Sequence, residues 1–142
     1  MILNQLSEMV IGAAIEVHRE LGPGLLESVY EACLSHELYE RGLVVERQKA
    51  LPVRYKSVLV DLGLRLDLIV DGQLIIEIKS VERLERVHEK QLLSYLKLSG
   101  CHLGLLMNFN VPLMREGIRR IVHRFPEAQQ KPIPSAPSAS SA

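Results

Sequence analysis

Leu64-Arg65-Leu66-Asp67-Leu68-Ile69-Val70-Asp71-Gly72-Gln73-Leu74-Ile75-Ile76-Glu77-Ile78-Lys79 decides how this chain folds. Two apolar, β-branched runs flank Asp71-Gly72, the composition of a β-hairpin. A two-residue turn at Asp71-Gly72 would pair Val70 with Gln73 and Asp67 with Ile76, sending Glu77 to the opposite face. A three-residue loop, Asp71-Gly72-Gln73, pairs Val70 with Leu74 and Leu68 with Ile76. It sets Asp67 against Glu77 and Arg65 against Lys79. The second register predicts one wholly apolar face: Leu64, Leu66, Leu68, Val70, Leu74, Ile76 and Ile78. The other face carries Arg65, Asp67, Ile69, Ile75, Glu77 and Lys79. A one-residue slip flips every side chain, so the amphipathic register is favoured. Gly72 can supply the left-handed residue that follows a type I turn in such loops.

That register brings two carboxylates and an ammonium together among apolar neighbours. Adjacent carboxylates repel, so they protonate, separate or capture a cation. Mg²⁺ typically takes one or two carboxylates and completes its shell with water and phosphate oxygens. The competing reading is a solvent-facing ladder of cross-strand salt bridges. Against it, these strands carry few other polar residues, and the strip needs a cover that spare helices can supply.

Outward from the hairpin, residues 2–21 carry Leu6, Met9, Val10, Ala13, Ala14, Val17 and Leu21 at helical spacing. Gly22-Pro23-Gly24 ends that helix. A second helix is predicted over 25–41, with Leu26, Val29, Cys33, Leu34 and Leu38 as its inner stripe. Residues 44–55 read as an edge strand or bend around Pro52. Residues 58–70 and 74–80 read as strands, 82–99 as a helix, 103–109 as a buried strand and 113–125 as a last helix. This order predicts an α/β fold with one mixed four-stranded sheet flanked by helices: three antiparallel strands, plus one parallel strand after a crossover helix. One domain is expected over 1–126, followed by a disordered Pro/Ser/Ala tail over 127–142.

The chain has 142 residues, 47% of them hydrophobic, and a formal net charge of +0. That balance argues against coating nucleic acid by bulk electrostatics but permits a local basic patch. Arg115, Arg119, Arg120 and Arg124 on the expected last helix form either a phosphate-facing stripe or a solvated face. No apolar run reaches the roughly 18 residues of a membrane span. The N-terminus has no signal-peptide pattern, and Cys33 and Cys101 lack metal-site spacing. A cytoplasmic protein is therefore expected.

Glu27 and Tyr30 share a helix face, as do Gln91 and Tyr95. Glu27 reads either as an acid complementing the helix dipole or as one delivered to the sheet. Gln91 and Tyr95 suit the orientation of water or phosphate, or simply border a buried stripe. Among the histidines, which show no metal-binding pairing, His18 and His88 are those expected nearest the acids.

With these residues assembled, the chain resembles the GxxExxY family, a compact branch of the PD-(D/E)XK nucleases. The naming motif stands as Gly24, Glu27 and Tyr30, and the catalytic motif as Asp67 and Glu77-Ile78-Lys79. Gln91 to Tyr95 matches QxxxY, Gly104 to Phe109 the GLLxNF strand, and Gly117 to Arg120 the closing GI(K/R)R element. The resemblance covers about residues 5–124. It implies a restriction-endonuclease-like core and a Mg²⁺- or Mn²⁺-dependent phosphodiesterase acting on DNA or RNA. Asp67, Glu77 and Glu27 would hold the metal, and Lys79 would be the catalytic cation. Gln91 would be an accessory catalytic residue, with Tyr30 and Tyr95 in support and Arg119 and Arg120 binding phosphate. A non-catalytic binding module that retains the fold is the rival expectation, and a homodimer addressing two strands is a third.

Overall fold

The computed structural model describes residues 1–126. The predicted tail, 127–142, lies outside the described residues. The elements run α1 (Leu3–Leu21), α2 (Glu27–Glu40), β1 (Val45–Ala50), β2 (Val53–Tyr55), β3 (Val58–Val60), β4 (Arg65–Val70), β5 (Leu74–Lys79), α3 (Arg86–Ser99), β6 (Leu103–Asn108), a 3-10 turn (Met114–Gly117) and β7 (Ile118–Val122).

The sheet has five strands in the order β1-β4-β5-β6-β7, not four. β1, β4 and β5 are antiparallel, and β6 returns parallel to β5 through α3, as the crossover required. The extra strand is β7, antiparallel to β6. It replaces the expected last helix. Ile118, Ile121 and Val122 are β-branched, and pairing with β6 satisfies backbone groups that a short helix after Pro112 would leave open. The expected strand over 58–70 is also divided: β3 pairs only with β2, and a bend over 61–64 precedes β4.

Both sheet faces are covered. Leu68, Val70, Leu74, Ile76 and Ile78 pack with α1 and α2, around Leu6, Val10, Ala13, Ala14, Leu34 and Leu38. Ile69, Ile75 and Leu106 pack with Leu92, Tyr95 and Leu96 of α3. Leu66 and Leu64 join this second cluster, although Leu68 belongs to the first. The wholly apolar face expected for the hairpin therefore ends at Leu68, and the strand rolls at Asp67. The inner stripe of α2 differs too. Leu26 and Val29 are exposed, and Tyr30 and Glu31 are buried in their place.

Tyr30 explains how the turn before α2 is held. Its hydroxyl donates to Gly22 O at 2.5 Å and accepts from Leu25 N–H at 3.1 Å. Its ring stacks on Phe109, centroids 4.5 Å apart. At the far end of β5, Asn108 clamps the departing chain: its Oδ1 accepts from Val81 N–H and its Nδ2 donates to Val81 O, each at 3.0 Å.

Candidate active site

The β4–β5 register is the one expected, with Val70 opposite Leu74 and Leu68 opposite Ile76. The turn differs in detail. Asp71 (φ 53°) and Gly72 (φ 66°) are both left-handed, and Gln73 N–H donates to Val70 O at 2.9 Å. Regular pairing stops at Leu68 and Ile76. Beyond it, side chains take over the ladder. Glu77 Oε2 accepts from Asp67 N–H at 3.0 Å, and Asp67 Oδ2 accepts from Ile78 N–H at 2.8 Å. The two carboxylates thus sit between the strands, held by main-chain donors.

Their electrostatics follow from burial. Glu77 is only 5% exposed. Desolvation, then the charge of Asp67, pushes its pKa up to about 8, against the pull of Asp67 N–H and Lys79. Burial also raises Asp67; the Ile78 N–H opposes this and the charge of Glu31 adds to it. Lys79 is close enough to favour the charged form of both acids.

Glu31 is the residue that sequence reasoning missed. It is 7% exposed on α2, one turn after Glu27, and its charge acts on both Asp67 and Glu77. Arg47 Nε donates to its Oε2 at 3.2 Å, and Gln48 Nε2 to its Oε1 at 2.7 Å. The same Gln48 amide lies 3.4 Å from Asp67 Oδ1. Gln48 reaches this position through a left-handed backbone (φ 50°), rare for a non-glycine residue. The available signal was spacing: Glu31 follows Glu27 by four residues and so shares its side of the helix.

Glu27 is placed differently from the expectation. Its Oε2 accepts from Ser80 N–H at 3.1 Å, while Ser80 Oγ donates to Leu25 O at 2.7 Å. It staples the start of α2 to the end of β5. Tyr30 faces the turn and Phe109, not the acids. From the other face, α3 delivers Tyr95, whose hydroxyl accepts from Gln91 Nε2 at 3.0 Å. Burial, then the charges of Glu77 and Asp67, raises the Tyr95 pKa, which places the phenol beside the acid pair.

The two arginines separate. Arg119 is opposite Leu106, which is opposite Glu77, so Arg119 and Glu77 share a sheet face. Arg120 points the other way; its Nη2 donates to Asn4 Oδ1 at 2.6 Å and its guanidinium covers the Phe125 ring. Adjacent strand residues alternate faces, so no common stripe forms. The histidines also lie elsewhere. His18 Nε2 meets Val111 O at 2.7 Å, and His88 completes the capping box of α3 with Glu85.

Among the described residues, no group of three or more His, Cys, Asp or Glu side chains is arranged to hold a metal ion. The Asp67–Glu77 pair nevertheless suits a hard divalent cation. Both acids are raised by burial, and a cation held by the pair would relieve their repulsion, with water and phosphate oxygens to complete its shell.

A mixed, helix-covered sheet with two buried carboxylates and a lysine at a strand divergence defines the class. The family model described as the PD-(D/E)XK nuclease superfamily matches residues 4–121, and the chain belongs to that superfamily. No curated protein and no solved structure matches the chain significantly. No described helix is long and apolar enough to cross a membrane.

Proposed function

We propose that the chain is a metal-dependent nuclease that hydrolyses phosphodiester bonds in nucleic acid. The observation that carries this reading is the reciprocal seating of Asp67 and Glu77 between β4 and β5, with Lys79 alongside. Asp67 and Glu77 would hold Mg²⁺ or Mn²⁺, which when bound supplies Lewis acidity toward the scissile phosphate and an acidified water. Lys79 stabilises negative charge as it builds on the phosphoryl oxygens during attack. Gln91 and Tyr95 orient water or phosphate through their shared hydrogen bond. Glu31 and Gln48 keep Asp67 in its rotamer. Arg119 meets the phosphate backbone at the rim of the same face. Glu27 acts through Ser80, fixing the end of the strand that carries Glu77 and Lys79.

Gly24, Glu27 and Tyr30 support placing the chain in the GxxExxY branch. The free thiols of Cys33 and Cys101 support a cytoplasmic setting. The test is Mg²⁺- or Mn²⁺-dependent cleavage of labelled DNA and RNA by the wild type, Glu77→Ala and Lys79→Ala. Cleavage by the wild type alone is expected. Equal cleavage by all three overturns the reading, and calorimetric metal binding without turnover would assign the chain to non-catalytic binding.

A further inference from the structure

The ribbon β2–β3 stands apart from the five-stranded sheet and carries apolar side chains into solvent. Its register pairs Val53 with Val60, Arg54 with Leu59 and Tyr55 with Val58, around a tip at Lys56-Ser57. The cross-strand neighbours Tyr55 and Val58 share one face of the ribbon and are 64% and 56% exposed. A two-stranded ribbon is marginal alone, and exposed apolar side chains clustered on one element mark an interaction surface.

Three observations say what this surface meets. The ribbon leaves the sheet at the site: Leu51 N–H donates to Leu64 O at 2.9 Å. Leu64 lies three residues before Asp67, roughly 10 Å along an extended strand. The two strands and their tip, Val53 to Val60, hold Arg54 and Lys56 and no acid, and Asp61, the next residue, lies 4.0 Å from the Arg65 guanidinium. Lys56 Nζ lies 5.4 Å from the Tyr55 ring centroid, so a flat ring and a cation are presented together. An aromatic face beside a cation suits bases stacking over a phosphate backbone. A paired duplex hides its base faces, whereas unpaired nucleotides offer them. With a net charge of +0, the chain has little bulk attraction for duplex phosphate and needs such contacts.

We propose that the β2–β3 ribbon docks unpaired nucleotides, Tyr55 stacking on a base and Lys56 contacting phosphate, so that the substrate is a single-stranded segment. This inference rests on the nuclease reading, which it deepens.

The test is fluorescence anisotropy with labelled single-stranded oligonucleotides, as DNA and as RNA, and their matched duplexes. EDTA is present, so cleavage plays no part. The wild type, Tyr55→Ala, Tyr55→Phe and Lys56→Ala are compared, with circular dichroism reporting folding. Single strands should bind about tenfold or more tighter than duplexes. Tyr55→Ala should lose about tenfold on single strands, Tyr55→Phe should retain wild-type binding, and Lys56→Ala should weaken binding with a shallower salt dependence. Folded Tyr55→Ala that binds like wild type, or duplex bound as tightly as single strand, overturns the proposal. So does a dimer seen by light scattering that Tyr55→Ala dissolves without changing oligonucleotide binding. The two readings fail separately. Tyr55-dependent binding without metal-dependent cleavage sinks the nuclease reading alone, and cleavage with Tyr55-independent binding sinks this one alone.

Discussion

Asp67 and Glu77 each accept a hydrogen bond from the other's strand: Glu77 from the Asp67 N–H at 3.0 Å and Asp67 from the Ile78 N–H at 2.8 Å. Neither carboxylate is an addition to a finished sheet. Each fills a backbone position that regular pairing would otherwise occupy, so sheet and site share their donors.

Substituting either acid should therefore affect stability as well as activity. Glu77→Gln keeps an oxygen to accept the Asp67 N–H and should fold, while metal-dependent cleavage falls by about 100-fold or more. Glu77→Ala strands a buried donor and should also lose about 1–3 kcal/mol. Denaturant titration beside cleavage assays separates the two effects.

The raised pKa of Glu77, about 8 against a usual 4.5, fixes a pH dependence. Without metal, the folded protein keeps this proton between those values while the unfolded chain has lost it. Stability from this group is fully present below about pH 4.5 and is lost as pH rises through about 8. Glu77→Gln should accordingly raise the melting temperature more at pH 8 than at pH 5. Metal binding must displace the proton, so added Mg²⁺ should stabilise the wild type more at pH 8.5 than at pH 6.

Gln48 holds a left-handed backbone to aim its amide at Glu31 and Asp67. Gln48→Gly accepts that conformation at no steric cost but removes the amide. It should fold at least as stably as Gln48→Ala, by about 1 kcal/mol, yet cleave as poorly as Gln48→Ala. Loss of activity of about 10- to 100-fold is expected of both. Full activity of either would show that Asp67 needs no such support.

Two glycines separate rigid from yielding packing. A Cβ on Gly117 would collide with the Asn108 carbonyl oxygen, which is main chain. A Cβ on Gly104 would meet only the Leu92 side chain, at 2.9 Å. Gly117→Ala should cost about 3 kcal/mol or more, and Gly104→Ala about 1 kcal/mol, because Leu92 can change rotamer. Thermal denaturation of both variants measures the difference.

Much of this was legible because hairpin register, helix periodicity and the crossover are dictated by alternating apolar residues. Asp67 opposite Glu77 followed from that alone. Three things were not. Arg119 and Arg120 read as a helix stripe because closely spaced arginines carry no period of their own, and only pairing with β6 makes the segment a strand. Glu27 looked like the helical acid because it opens α2, but Ser80 engages it, and the burial of Glu31 depends on Arg47 and Gln48 from a distant strand. The roll at Asp67 comes from carboxylates displacing backbone pairing, which no binary pattern encodes.

β1 lies at one border of the sheet, where unpaired main-chain groups invite a neighbouring molecule to add a strand. The left-handed step at Gln48 interrupts that border midway, between the charged side chains of Glu46, Arg47 and Lys49. One backbone distortion thus serves solubility as well as chemistry: straightening it would loosen Asp67 and at the same time open a template for aggregation.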